Sequence, residues 1–209
     1  MNYTELKAKI ADVTENTFSE DAYQIFVALA EERIYSSADL PVLRKNSTGT
    51  LTTSNQYLSV PADYRYTYSL AVISAAGAFS YPVNKDVNFI REAYPNPTST
   101  GVPKYYADFD EGTLIVGPSP DSGYSVELHY GYFPESIITA TTTWLSDNYG
   151  GVLLNACLLE AARFMKAEED IVNLYNEMYG QSLLLLKNLA DGKLRGDTYR
   201  SGQPKKAVK

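Results

Sequence analysis

The 209 residues include one cysteine and one histidine. Cys157 alone excludes an internal disulfide, and its place in the apolar run "GVLLNACLLEAARFM" marks it as a small buried hydrophobe. His129, with no second histidine and no useful cysteine, leaves a zinc site or a Ser/His/Asp triad without credible partners. No apolar run approaches the ~18 residues a membrane span needs, and no basic-then-apolar segment suggests a signal peptide. Neither a span nor export by that route is expected. No Walker-type or dinucleotide glycine fingerprint is present, and Gly150-Gly151 reads as the start of a helix. We find no internal repeat and no low-complexity tract.

Charge is abundant but unevenly placed. The net charge is −7, yet the last stretch, "KLRGDTYRSGQPKKAVK", carries six basic residues and one acid, which leaves −12 on residues 1–192. So acidic a body excludes general nucleic-acid binding, because neutralising phosphates needs a basic face. The Arg195-Gly196-Asp197 triplet carries little weight: three letters coincide by chance, and adhesion requires display on an extracellular tight loop. Asp108, Asp110 and Glu111 cluster at a hairpin turn and Glu168, Glu169 and Asp170 at a helix end, where exposed acids are the rule; neither group reads as an acid/base pair. No catalytic residue, metal site or cofactor is expected. Eighteen tyrosines, each an apolar body with a polar tip, suit either a half-exposed sheet or subunit interfaces.

Along the chain, Tyr3, Leu6, Ile10 and Val13 fall on one face of a first amphipathic helix. A second helix runs from Glu20 to Ser36, with Ser19 as cap, Glu20 and Asp21 in the first turn, and Phe18 stapled to Tyr23. It stops before Pro41. Residues 44–77 turn to Thr, Tyr, Val and Leu and predict strands, broken at Ser54-Asn55 and Pro61-Ala62-Asp63. Residues 84–93 predict a short helix ending at Tyr94-Pro95. Between Pro103 and Pro134, turns at Asp110-Glu111-Gly112 and Asp121-Ser122-Gly123 separate three strands, read as a β-meander; the last alternates Tyr124, Val126, Leu128, Tyr130 and Tyr132. Two apolar helices follow at 149–168 and 171–190, joined at "KAEED". Their stripes are Leu154, Leu158, Ala161 and Met165 in one, and Ile171, Leu174, Met178, Leu185 and Leu189 in or beside the other. Asp191-Gly192 is the expected C-cap.

Helices at both ends around an all-β middle make the fold class α+β. The expected organisation is a helical bundle from residues 1–43 and 142–192, an inserted antiparallel β-sheet region at 44–141, and an extended C-terminal arm at 193–209.

Three stretches resemble the head-to-tail connector or adaptor proteins of tailed bacteriophages, the group that includes the tail tubular protein A type of short-tailed phages. They are "VPADYRYTYSL" (60–70), "FIREAYPNPTSTGVPKYYADFDEGTLIVGPSPDSGYSVELHYGYFP" (89–134) and "TTWLSDNYGGVLLNACLLEAARFMKAEEDIVNLYNEMY" (142–179). "GVPKYYA", the "PSPD" turn and "WL" followed by "LLNACLLEAA" carry it most directly. The resemblance implies a structural virion subunit of the neck, built in the bacterial host cytoplasm. It implies a ring with an expected count of twelve copies, between the portal protein and the tail nozzle protein. DNA would pass through its lumen without specific binding, repelled by the acidic body. The resemblance also implies that the C-terminal arm docks on the portal, which makes Lys193, Arg195, Asp197, Tyr199, Arg200, Lys205, Lys206 and Lys209 the candidate partner-binding residues. Seventeen extended residues reach about 55 Å, enough to lie along a neighbouring protein. The alternative is a carbohydrate-binding module whose Tyr-rich sheet stacks on sugar rings.

Overall fold

The computed structural model describes residues 1–37 and 40–194. These form two units, each with its own core: Met1–Val42 together with the described chain from Glu135 onward, and Leu43–Pro134. The first is helical; among the described residues the second holds every strand, with one short helix, so the chain is α+β.

In the helical unit, α1 (Tyr3–Thr14) opens with a capping box in which Asn2 Oδ1 accepts the Glu5 N–H (2.8 Å) and Glu5 Oε2 accepts the Asn2 N–H (3.1 Å). It buries Leu6 and Ile10 completely, whereas Val13, expected on the same face, is 48% exposed. Periodicity defines the face of a helix but not how far along it a neighbour extends. α2 (Glu20–Ser37) begins as expected: Ser19 Oγ accepts the Ala22 N–H (3.3 Å), and the Phe18 ring packs edge-on to Tyr23 and Phe26. After α4 (Trp144–Asn148), α5 (Gly150–Phe164) packs against α1, α2 and the last helix, α6 (Glu169–Leu194), and buries nine of its fifteen residues. Its small side chains, Ala156, Cys157, Ala161 and Ala162, permit that close surround.

α6 (Glu169–Leu194) is joined to α5 at the "KAEED" stretch, by a turn that the sequence located but did not shape. Lys166 adopts φ +53°, its N–H bonds Arg163 O (3.1 Å), and the Ala167 N–H bonds Ala162 O (3.0 Å). This is a Schellman cap with lysine where glycine is usual. The last helix does not stop at Gly192 but continues to Leu194. An isolated glycine costs a helix only about 1 kcal/mol, which the neighbouring turns can absorb.

The β unit has two four-stranded sheets. One has the order β1 (Arg44–Leu51), β8 (Tyr124–Tyr132), β3 (Tyr64–Ile73), β4 (Phe79–Ser80); the other has β2 (Tyr57–Ser59), β7 (Thr113–Gly117), β6 (Tyr105–Asp110), β5 (Val83–Asn84). All pairs are antiparallel except the two-residue β5–β6 pair. β6 and β7 form the expected hairpin, but the meander does not continue: β8 leaves for the other sheet and inserts between β1 and β3. Its apolar face explains this. Tyr124, Val126, Leu128 and Tyr130 pack with Leu51, Leu70 and Val72 from their own sheet and with Leu58, Tyr106, Leu114 and Val116 from the other. Facing the second sheet, rather than extending it, buries that face, and each fully buried large apolar side chain contributes roughly 1.5–3 kcal/mol. The helix expected at 84–93 begins at Val87, as α3 (Val87–Ala93), and covers a smaller core of Ile90, Ala107 and Ile115. Gly117 makes room for it, since a Cβ there would lie 2.8 Å from Ile90 Cγ2.

Candidate functional site

The expected partner-binding residues begin where α6 ends. Lys193 lies in the last turn of α6, not in an extended arm. Arg195, Asp197, Tyr199, Arg200, Lys205, Lys206 and Lys209 lie outside the described residues, as does the Arg-Gly-Asp triplet. What the structure describes is α6, the helical root from which those residues continue.

That root is firmly held along α5. Among the described side chains of α6, Tyr179 and Leu186 are buried, and Asn155 Nδ2 on α5 donates to Met178 O (3.4 Å) and Ser182 Oγ (3.3 Å). α5 is tied in turn to α2 by an ionic cluster: the Glu160 carboxylate, 8% exposed, accepts from Arg33 on α2 and from Arg163 (3.3 Å) on its own helix. Glu31 on α2 is also buried, and its carboxylate accepts the Ile137 N–H (3.0 Å), fixing the segment that leads back into the helices. Burial pushes the Glu31 carboxyl above the ordinary carboxylate range, although the bonds from Ile137 and Ser136 act against it. Burial likewise pushes the Cys157 thiol well up, so it stays protonated and unreactive, as its apolar context suggests.

The apolar stripe expected on α6 faces away from α5. Ile171, Leu174, Met178 and Leu185 are exposed (42%, 55%, 39% and 66%), Leu184 beside them is exposed, and Leu189 is half-buried. α6 is apolar on two sides, and hydropathy alone cannot say which side meets α5. The exposed seam follows the 3-4 spacing of a helix-packing face, with Gln181 and Asn188 continuing it. Its acidic neighbours are Glu168, Glu169 and Asp170 at the start of the helix and Glu177 along its edge, all exposed.

In the β unit, His129 sits on the polar face of the first sheet, half-buried and tilted against Tyr68 (centroids 5.5 Å apart). Arg44 lies over the other part of that cluster, 4.1 Å from the Tyr68 ring centre, and the Tyr66 and Tyr68 hydroxyls are 2.9 Å apart. Gly131 allows this arrangement, since a Cβ there would lie 2.8 Å from Tyr66 Cζ. An open cleft of about 280 Å³ adjoins it, lined by Asn46, Ser69, Ala71, Tyr81, Glu127 and His129. Asn46 Nδ2 donates to Glu127, and no hydroxyl or thiol nucleophile is paired with His129 there. Among the described residues no three metal-ligating side chains converge. Tyr66 and Tyr68 pack edge-on against each other, with Arg44 over the Tyr68 ring.

One use of four of the eighteen tyrosines was not anticipated. Tyr64 Oη donates to Asp108 (2.6 Å), Tyr124 to Asp121 (2.5 Å), Tyr130 to Asp63 (2.9 Å) and Tyr3 to Glu20 (2.8 Å). Burial and the bond to Asp63 push Tyr130 up to about 12. Asp110 Oδ1 accepts the Gly112 N–H (2.9 Å). Two of the three acids at the β6–β7 turn thus have local structural partners.

The family model described as SU10 adaptor protein matches residues 1–204, nearly the whole chain, and the chain belongs to that family. The match spans both units and extends past α6; it does not single out the tail tubular protein A type. No curated protein matches the sequence.

Proposed function

We propose that this member of the SU10 adaptor family is a structural virion protein, the head-to-tail adaptor of a tailed bacteriophage, assembled in the host cell as a ring of about twelve copies between portal and tail nozzle. The observation that carries this is the family match over residues 1–204, which takes in both units and most of the arm. The chemistry is consistent with it: the site contains held helices, an exposed apolar seam and a long charged terminus rather than a nucleophile and its base. Binding, not catalysis, is what such groups do.

On this reading the arm docks on the portal through Lys193, Arg195, Asp197, Tyr199, Arg200, Lys205, Lys206 and Lys209, its basic residues meeting an acidic groove. A −12 body arranged around a channel repels DNA, so the genome passes without specific binding. Basic side chains lining the lumen of the assembled ring would contradict this part.

The test is assembly. Purified full-length protein mixed with portal rings and imaged by electron microscopy should add a ring of density at one end of the portal. A chain truncated after Leu194 should keep its fold and attach more weakly, and the full-length attachment should weaken as salt is raised. No added ring with the full-length chain overturns the adaptor reading; equal attachment by both chains overturns the role of the arm.

A further inference from the structure

The first sheet of the β unit ends in β1, which pairs with β8 along its whole length without a register shift and on its other side with no strand among the described residues. We infer that this free edge is a contact surface for a second copy of the same chain: two β1 strands pair antiparallel about a two-fold axis at Thr48 and join the two sheets into one.

The edge itself is the first reason. An open edge presents a row of unpaired N–H and C=O groups, which proteins blunt by shortness, proline, bulges or charge. The other three edge strands, β2, β4 and β5, are only two or three residues long. β1 has eight residues, neither proline nor bulge, and no charge from Asn46 to Leu51. Residues 45–50 are exposed except Ser47, which is half-buried. The charges Arg44 and Lys45 sit at one end, with Lys45 drawn to Asp63 (2.6 Å).

What lies beneath the edge is the second. Lys45, Ser47, Gly49 and Leu51 stand opposite Tyr130, Leu128, Val126 and Tyr124 of β8, so they share its core face. The residues at 47 and 49 are small, and the core opens there into a cleft of about 210 Å³ lined by Leu58, Val60, Val126 and Leu128. A strand laid along the edge closes the mouth of that cleft.

Register and charge then favour a copy of β1 itself. The two core faces stay on one side only if the numbers of paired residues add to an even sum. With Thr48 on the axis, Thr48 faces the second copy's Thr48, Ser47 its Gly49, Asn46 its Thr50 and Lys45 its Leu51. This register pairs residues 45–51; centring on Gly49 pairs only 47–51, and centring on Ser47 sets Lys45 against a glycine. No like charges meet. The two Lys45 residues lie about 20 Å apart along the strands, at roughly 3.4 Å per residue, or about twice the screening length at 0.1 M salt. The far end of β1 runs beside the loop that carries the exposed Asp121, since the Ser54 N–H bonds Pro120 O (2.8 Å). Pairing therefore brings the Arg44–Lys45 end of each copy to the acidic end of the other.

One strand pair is a small interface, so this dimer is weak and reversible. A two-fold contact also closes on itself, so it is distinct from the contact that builds the proposed ring.

Sedimentation velocity of the full-length protein at 0.5 M NaCl, where repulsion between the acidic bodies is screened, tests this. The wild type should show a reversible monomer–dimer equilibrium. Thr48→Lys sets two ammonium groups against each other across the axis and should weaken the dimer about ten-fold or more. Thr48→Val should leave it intact, with circular dichroism confirming that both variants fold. Because Cys157 is buried, Thr48→Cys carries one accessible thiol. Gentle oxidation should trap it as a linked dimer at least several-fold faster than Lys9→Cys, at an exposed position of α1. A wild type that stays monomeric overturns the pairing. So does a dimer that Thr48→Lys leaves unchanged, or trapping of Thr48→Cys no faster than of Lys9→Cys. The two readings fail separately: a chain that pairs this way but adds no ring to the portal leaves the edge contact standing, and a monomer that adds one leaves the adaptor function standing.

Discussion

At the scale of single residues, several polar side chains are paired, most of them with partners distant in the sequence. The hydroxyls of Tyr130, Tyr64, Tyr124 and Tyr3 donate to Asp63, Asp108, Asp121 and Glu20, which lets these four rings enter half-dry positions with their polar tips paired. Glu31 is the case with a pH signature. Because burial raises its carboxyl in the folded protein, the folded state holds that proton more tightly than the unfolded state does. Its stabilising contribution is therefore complete below the unfolded value of about 4.3 and is lost as pH rises through the higher folded value. Glu31→Gln keeps an acceptor for the Ile137 N–H and removes the charge, so the stability of the variant relative to wild type should increase between pH 4 and pH 7, read from urea midpoints. Glu31→Ala should instead cost about 1–3 kcal/mol, since a buried N–H loses its partner.

At the scale of elements, the start of α2 was legible because Phe18, Ser19, Glu20 and Asp21 act within one turn, and the α5–α6 joint because a charged stretch interrupts two apolar ones. The shape of that joint was not legible, because lysine is no marker of positive φ. Lys166→Gly should stabilise the helical unit by about 1 kcal/mol by relieving the left-handed conformation, and thermal unfolding of the two proteins checks it. A loss of stability there would mean that the Lys166 side chain contributes more than its backbone costs. The position of β8 was hidden for a different reason. Its alternation announced one apolar face, but strand order depends on which distant strands that face meets, and the short turn at 121–123 pointed to the neighbour in sequence.

At the scale of the whole molecule, two units with separate cores are carried by one acidic chain with a basic end. Like charge on every copy opposes self-association, and salt screens it over about 10 Å at 0.1 M. Sedimentation velocity should therefore show more association at 1 M than at 50 mM NaCl. Association that falls with salt would mean that copies are drawn together chiefly by opposite charges.

The sequence by itself determined the α+β segregation, most helix starts, the apolar face of β8, the inert setting of Cys157 and the contrast between body and terminus. These are written in periodicity, capping residues and charge, all read over a few neighbouring positions. Its resemblance to phage adaptors led to the family that the match over residues 1–204 establishes. Only the tertiary structure decided that β8 changes sheets, that Glu31 and Glu160 are buried acids with partners far along the chain, and that α6 turns Tyr179 and Leu186 inward while Ile171, Leu174, Met178 and Leu185 face out. The reason is common to all three. A residue's own neighbours define the surfaces an element offers, but which surface is buried depends on what arrives from elsewhere in the chain, and that is settled by packing.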